Sequence, residues 1–466
     1  MTVIQYHEAT KHHFHRYARA LGYLDWDNQP NPFRFYEGVT PIKLPFAQGD
    51  PEAAYMDLYE RIRNPIREFS RENLSLFLEL SLGISAWKSI PGARWALRMN
   101  PSSGNLHPTE SYVILKTNEA YNPGVYHYSP YLHALEPRAI FGDELSRQLQ
   151  GHFQTQGFLF ALTSIYWREA WKYGERAFRY CNHDIGHAIA AASFAANLMG
   201  WKLTYLHESS DEEMAGILGF HQIHWAQNEQ EYPEVLGFVH PAGATSSQAG
   251  IPRFRHARGS LRLPSSQEIP AGLDPELIQQ ISGLSFQGRP NSLSAEHVDW
   301  NMITEVAKAT EKPRTAVERP LYPKTPFFQE PSRLKAPQII RQRRSLLACD
   351  GVTGISKAEF LAMLDKTLPR ETTAPFDFGL GPARVHLLLF VHRVKDFASG
   401  LYMFVRNEED LSALRLACRS QFLWAPIEKD FPPAKTGTSS SRERAGKLVS
   451  RSICWPKASM RRKRPP

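Results

Sequence analysis

The chain has 466 residues, 42% of them apolar, a formal net charge of +8 and four cysteines. Such a length leads one to expect two or three domains with substantial cores. The absence of a run of roughly eighteen apolar residues, and of a signal-peptide core at the N-terminus, speaks against a membrane-spanning or secreted protein. Cys181, Cys349, Cys418 and Cys454 have neither paired nor metal-type spacing, which makes a reducing cytoplasm the default compartment.

In chain order, the opening reads Tyr6-His-Glu-Ala-Thr-Lys11 and then Tyr36-Glu-Gly-Val-Thr-Pro-Ile-Lys-Leu-Pro45. Leu74 to Leu82 has the apolar spacing of a helix. Arg98 to Glu110 follow as R-M-N-P-S-S-G-N-L-H-P-T-E, with two hydroxyls, a glycine and an amide side chain between prolines, just ahead of the strand-like Tyr112 to Leu115. A loop of this composition is either a plain Pro-Ser-Gly turn or a rigid donor-rich cradle for an anionic or heteroaromatic ligand. About seventy residues on stands Lys172-Tyr-Gly-Glu-Arg-Ala-Phe-Arg-Tyr180, which runs into Asp184-Ile-Gly-His-Ala and a helix to Met199. The alanines 188, 191, 192, 195 and 196 allow close approach by a helix or a flat ring, and His187 reads as a packing histidine.

Residues 243–250 and 264–267 have linker composition, and residues 274–311 read as connecting helices. Arg341-Gln-Arg-Arg-Ser345 is a basic cluster suited to a phosphate, or else a solvated basic face. Ser356-Lys-Ala-Glu359 is a capping box that should open a helix over Phe360 to Leu364. An internal repeat at a constant offset of 276 relates Ser111–Leu115, Pro123–Tyr128 and Leu135 to Leu387–Val391, Ser399–Phe404 and Leu411, which argues for two copies of one domain. The segment Ala374 to Gly381 stands where the second copy should carry the donor-rich loop. From Lys435 onward, ten Lys or Arg face the single acid Glu443, a net +9 that leaves −1 for residues 1–434. The basic excess therefore describes a tail expected to be disordered and solvated, not a nucleic-acid-binding body.

The loop, the K-Y-G-E-R segment and the G-H-A helix, in this order and with the lead-in, resemble the SagB-type dehydrogenases of the nitroreductase superfamily. The resemblance implies an α+β nitroreductase-like fold with FMN as prosthetic group and soluble cytoplasmic location. It covers residues 1–240 well and 270–430 weakly. With the repeat it implies two tandem copies folded as an internal pseudo-dimer, the second copy incomplete because it lacks a K-Y-G-E-R segment, a G-H-A helix and a closing strand. The expected partition is a lead-in at 1–45, a first copy at 46–242, a linker at 243–332, a truncated second copy at 333–434 and a basic tail at 435–466. In such dimers each FMN meets the loop of one subunit and the arginine segment of the other. The residues implied to hold it here are therefore Arg98, Pro101, Ser102, Ser103, Gly104 and Asn105 with Arg341, Arg343, Arg344 and Ser345.

Lys172 and Tyr173 match the pair that accepts a proton in azoline-oxidising relatives, and a lysine can do so only in its neutral form, which burial favours. The function implied is hydride transfer through flavin N5 from a modified peptide or small metabolite, within a peptide-modifying enzyme complex. Two other readings stay open, an NAD(P)H-dependent flavin or nitro reductase and a degenerate flavin-binding or scaffolding partner.

Overall fold

The computed structural model describes residues 1–59, 64–117, 120–242, 269–316, 334–346, 348–370, 373–418, 422, 424–426 and 447–451. Its contacts divide the chain into two compact units. The first comprises the described residues up to 316 together with 334–344 and 373–379.

In the first unit, α1 (Val3–Thr10) opens on a capping box between Thr2 and Gln5, and the short strands β1 (Tyr36–Glu37) and β2 (Ile42–Lys43) follow. The spaced leucines form α2 (Arg71–Leu82), capped by Ser70, and lead into a hairpin of β3 (Ile84–Ile90) and β4 (Ala93–Arg98). Next come β5 (Thr109–Leu115), β6 (Gly124–Ser129), β7 (Ala134–Ile140), α3 (Asp143–Phe153), β8 (Phe158–Ser164), α4 (Tyr166–Tyr173) and α5 (Ala177–Leu198). Then β9 (Trp201–Tyr205), α6 (Asp211–Ile217), β10 (Tyr232–Pro241), α7 (Pro275–Ser282), β11 (Arg289–Pro290), α8 (Asn301–Ala309) and α9 (Ala336–Gln342) complete the unit.

Seven of these strands form one antiparallel sheet in the order β2-β7-β6-β5-β8-β10-β9. Both faces are covered. Val113, Leu115, Phe160 and Leu162 join a core with α2 and α5, while Tyr112, Ile114, Leu159 and Ala161 join another with α3, α6 and α7. Strands buried on both faces lose the polar alternation of a half-exposed sheet, which is why Tyr112–Leu115 of β5 and Phe158–Leu162 of β8 read as unbroken apolar runs. Ala188, Ala192, Ala195 and Ala196 are all buried where α5 crosses α2 and the sheet. His187 is exposed, so the expected packing histidine is corrected: on a helix covered on one side only, its position falls on the solvent face.

The second unit holds β12 (Ile355–Ser356), α10 (Lys357–Asp365), β13 (Leu387–Val391), β14 (Val394–Lys395), β15 (Gly400–Val405), α11 (Leu411–Ala417), β16 (Ala425–Pro426) and β17 (Lys447–Arg451). The capping box forms as expected. The Glu359 backbone N–H donates to Ser356 Oγ at 3.2 Å and the Ser356 N–H to Glu359 Oε2 at 2.7 Å.

At the 276 offset the two hairpins have the same register. Tyr112 pairs with His127 and Leu115 with Gly124; Leu388 pairs with Met403 and Val391 with Gly400. The Tyr126 hydroxyl donates to the Asn122 carbonyl at 2.8 Å, and the Tyr402 hydroxyl donates to the Ala398 carbonyl at 2.7 Å. The likeness stops at Leu411, which opens a helix where Leu135 lies in a strand.

Four sequence expectations change. Helices α7 and α8 are not connectors, because Leu277, Ile278 and Ile281, and Ile303 and Ala307, are buried in the first unit's cores. The arginine segment to Arg344 groups with the first unit, where Ala336 N–H bonds the Ala53 carbonyl. Thr373 to Gly379 does too, through the Phe378 ring stacked on Tyr205 at 5.2 Å. Within the tail, Lys447–Arg451 pairs antiparallel with both β15 and β16 and is no free appendage, since two open strand edges offer its backbone groups partners; the rest of 435–466, and the linker residues 243–268, lie outside the described residues.

Candidate active site

The donor-rich loop leaves the end of β4 and enters β5, so two rigid elements fix both its ends. Gly104, Asn105 and His107 all have positive φ, at 59°, 60° and 52°, a region costly for a histidine and tolerated by glycine and asparagine. Internal bonds hold that shape. The Ser103 N–H donates to both oxygens of Asp184 at 3.0 and 3.1 Å, and its hydroxyl donates to Oδ1 at 2.9 Å. The His107 N–H donates to Ser102 Oγ at 2.8 Å, Asn105 Nδ2 donates to the Ala96 carbonyl at 2.9 Å, and Asn105 Oδ1 accepts from His107 Nε2 at 3.1 Å. Burial and the Arg98 charge hold His107 well below its usual pKa, hence neutral.

Arg98 is itself buried, donating to the carbonyls of Thr109 and Pro32 and lying over the Phe33 ring, so it supports the loop from beneath. Pro101 is partly exposed and Gly104 exposed. Of the expected binding residues, Ser102, Ser103 and Asn105 thus spend side-chain capacity on the loop itself. Its open backbone is what faces outward at Gly104.

There the loop meets the K-Y-G-E-R segment. A Cβ at Gly104 would lie 2.7 Å from the Tyr173 hydroxyl and 3.2 Å from Lys172 Nζ, so any larger residue would push the ends of these two side chains aside, besides straining the positive φ. Lys172 Nζ stands 5.4 Å from the Tyr173 ring, which packs on Tyr180 at 4.3 Å. Both side chains are half-buried, and burial pushes the Tyr173 hydroxyl up to about 12, so it stays protonated at neutral pH. The geometry brings one cation, one phenol and a stretch of bare backbone together.

The arginines divide. Arg341 is committed to Glu79 and Asp50 at 2.8 and 2.7 Å, so its expected part in binding a phosphate is corrected: its charge is already compensated. Arg343 and Arg344 have no carboxylate partner among the described residues. Arg344 donates to the carbonyls of Arg341 and Arg343, and at 3.4 Å to that of Ser85, whose hydroxyl in turn bonds Leu97 and Arg98 at the root of the loop. Ser345 is exposed and falls in the second unit.

Sequence reasoning passed over Glu169. It lies one turn before Lys172 on α4, is fully buried, and neither carboxylate oxygen has a hydrogen-bond partner among the described residues. Burial, then the nearby Asp184 charge, push its pKa well up, while Lys172 opposes this. The E-x-x-K spacing was readable, but burial was not.

A raised carboxyl pKa means that the folded state holds the proton more tightly than the unfolded one. Stability should therefore fall as pH climbs from about 4.5 through the raised value. Glu169→Gln, which cannot ionise, should flatten that decline in thermal melts taken across pH; identical slopes in the two proteins would show that Glu169 does not titrate in this way.

Beneath the loop lies a buried ionic network. Arg168 Nη1 donates to the His107 carbonyl at 2.7 Å and to Glu110 at 2.5 Å. His127 bonds Glu110 at 3.0 Å through Nε2 and Glu136 at 2.7 Å through Nδ1. Burial disfavours its charge, yet the two carboxylates override this and raise it to about 9, so both ring nitrogens carry protons at neutral pH. An open hollow of about 440 Å³ lined by Glu212, Glu213, Pro275 and Ile278 shares no residue with the loop or the Lys-Tyr pair. Among the described residues there is no cluster able to hold a metal ion, and no described helix is long and apolar enough to cross a membrane.

Residues 70–227 match the profile of the Nitroreductase family. A nitroreductase-like protein of Methanocaldococcus jannaschii is 27% identical over 180 residues, covering 37% of this chain and 84% of that protein. A nitroreductase-like crystal structure from Anabaena variabilis superposes with a TM-score of 0.56 at 20% identity over 86% of this chain and 76% of the other, which establishes a shared fold. A chain of the E. coli microcin synthetase McbBCD complex reaches only 0.29 at 18% identity, over 51% of this chain and 80% of that one, too little to carry an argument.

Proposed function

We propose that this chain, which carries a nitroreductase-family oxidoreductase domain, is an FMN-dependent dehydrogenase of the SagB type that oxidises a heterocycle in a modified peptide. The observation that carries the reading is the approach of Lys172 and Tyr173 to Gly104. The two motifs on which the resemblance rests are seventy residues apart in sequence and in contact in the fold. FMN would supply the hydride acceptor. Its fit is supported by the bare backbone at Gly104, held in shape by Asp184, and by Arg343 and Arg344, which have no carboxylate partner among the described residues, since guanidinium groups pair well with phosphate.

Lys172 Nζ is the group to take a proton from the substrate, with the Tyr173 hydroxyl as its neighbouring donor. The Asp184 clamp on Ser103 keeps the loop from moving as ligand arrives, so little ordering entropy is lost. Association with other enzymes of a peptide-modifying pathway, and action in the cytoplasm, complete the proposal.

The purified chain should hold one FMN. The matching hairpin register supports reading the second unit as a degenerate copy, and only the first unit has both the loop and the Lys-Tyr pair. Flavin released by acid and quantified against protein checks this. Two equivalents would mean that the second unit also binds flavin, and none after reconstitution with excess FMN would favour a scaffold. Rapid flavin reduction by NADH or NADPH, with none by a thiazoline peptide, would make the chain a flavin or nitro reductase instead.

A further inference from the structure

We infer that residues 11–27 form a docking surface for an acidic, aromatic-bearing stretch of the peptide substrate, directly beside the Lys172–Tyr173 pair. The inference rests on the functional reading above and extends it to substrate recognition.

Four large aromatic side chains in this short segment point to solvent: Phe14 is 94% exposed, Tyr17 82%, Tyr23 67% and Trp26 65%. Loose chain would explain exposure, but the stretch from Arg19 to Asp25 is clamped. The Arg19 carbonyl accepts from the Glu175 N–H at 3.0 Å, Trp171 Nε1 donates to the Asp25 carbonyl at 2.7 Å, and the Arg19 guanidinium sits 4.8 Å over the Trp300 ring. Leu21 and Leu24 pack inward on the core that contains Trp167 and Trp171. The aliphatic residues are thus spent on the fold, and the rings are left outside. Aromatic side chains contribute the most contact area for the least lost side-chain freedom, which is why they and arginine are enriched in recognition surfaces.

The charge selects the partner. The segment holds no acidic residue from Lys11 to Leu24; its two acids, Asp25 and Asp27, flank Trp26 at the far end, where Asp25 accepts from Asn28 Nδ2. Lys11 is paired with Glu8 and Arg19 with Glu175, but Arg16, Arg176 and Arg179 bond only carbonyls, a hydroxyl, a phenol ring oxygen or a histidine, with no carboxylate partner among the described residues. Uncompensated guanidinium groups beside exposed rings suit carboxylates flanking apolar side chains.

The position selects the role. Gly174, at φ 52°, has no side chain, so the backbone at Arg19 and Ala20 lies against it, and a Cβ there would collide with the Arg19 carbonyl. Gly174 follows Tyr173 in sequence. The segment is therefore built onto the same turn that carries the Lys-Tyr pair, and a peptide held along it has its reacting residue within reach of Lys172. An anionic lipid surface would also favour rings beside cations, but the irregular backbone of 11–27 presents no amphipathic helix to lie in a membrane interface.

The test uses the full-length FMN-loaded protein and a fluorescein-labelled peptide of Glu and Phe residues separated by Gly, with anisotropy as readout. The expected result is binding that weakens about tenfold in Phe14→Ser/Tyr17→Ser and again in Arg16→Glu, as for removal of anchor side chains. Flavin content, and flavin reduction by a short thiazoline peptide lacking the acidic stretch, should be unchanged in these variants. Equal affinity for a Lys-Phe-Gly peptide or a Glu-Ser-Gly peptide, or no change in the variants, overturns the proposal. So does sedimentation with phosphatidylcholine–phosphatidylserine vesicles in place of peptide binding. No binding of the Glu-Phe-Gly peptide by the unsubstituted protein, with its flavin uptake and thiazoline reduction intact, sinks the surface alone, whereas a protein that takes up no flavin sinks the functional reading beneath it.

Discussion

Lys172→Ala is expected to slow reduction of the bound flavin by a thiazoline peptide by about a hundredfold or more, the range for removing a general base, while leaving FMN content unchanged. The asymmetry follows from geometry. Lys172 is half-buried beside Gly104, but the loop is held by Asp184, Ser102 and Asn105, none of which uses Lys172. Truncating the lysine should therefore spare the cradle and remove the proton acceptor. Lys172→Arg supplies the comparison: an arginine keeps the charge but cannot be deprotonated, so it should be as slow as alanine if the neutral amine is what matters. Absorbance at the flavin band in stopped flow gives both rates. Unchanged turnover in Lys172→Ala would falsify the assignment, and a variant without flavin would move Lys172 from chemistry to binding.

The second large effect is structural. Arg168→Ala should cost about 3–5 kcal/mol of stability, the range for removing one partner of a buried ion pair, because Glu110 is left in the core without its main counter-charge. Burial alone would raise the pKa of Glu110, but Arg168 first, then His127, overcome this and hold it down near 2. A carboxyl with a depressed folded pKa contributes stability above about pH 4.5 and loses it as pH falls toward 2. The penalty of Arg168→Ala should accordingly be largest at neutral pH and shrink in acid, measured as urea midpoints at several pH values.

Arg168 also holds the His107 carbonyl, so the same variant should loosen the loop and its flavin. Arg168→Met restores volume without charge and separates packing from electrostatics. A loss below about 1 kcal/mol in both variants would place Arg168 among surface-grade ion pairs and refute the account of the network.

The local elements were legible in the sequence because their causes are local. The spaced leucines of α2 and the box at Ser356 and Glu359 became what their patterns require, and the first strand of each repeat unit formed; the Gly-hydrophobic-Tyr stretches expected as turns are themselves strands paired to it. The motifs that turned out to touch, Gly104 with Lys172 and Tyr173, could be nominated in sequence but not joined. Their contact depends on α4 following β8, which pairs with the strand the loop enters.

Other features were decided only by the tertiary structure. Arg341 looked like an anion ligand until Asp50 and Glu79, far earlier in the chain, neutralised it, and Glu169 became a buried carboxyl without a hydrogen-bond partner among the described residues only on folding, with burial and then the Asp184 charge raising its pKa. The five residues Lys447–Arg451 belong to a strongly basic tail that composition assigns to solvent, yet their backbone groups find partners on β15 and β16. Composition and periodicity report what a residue prefers on average. Charge compensation, desolvation and strand pairing depend on which distant residue arrives beside it, and that is settled when the chain closes on itself.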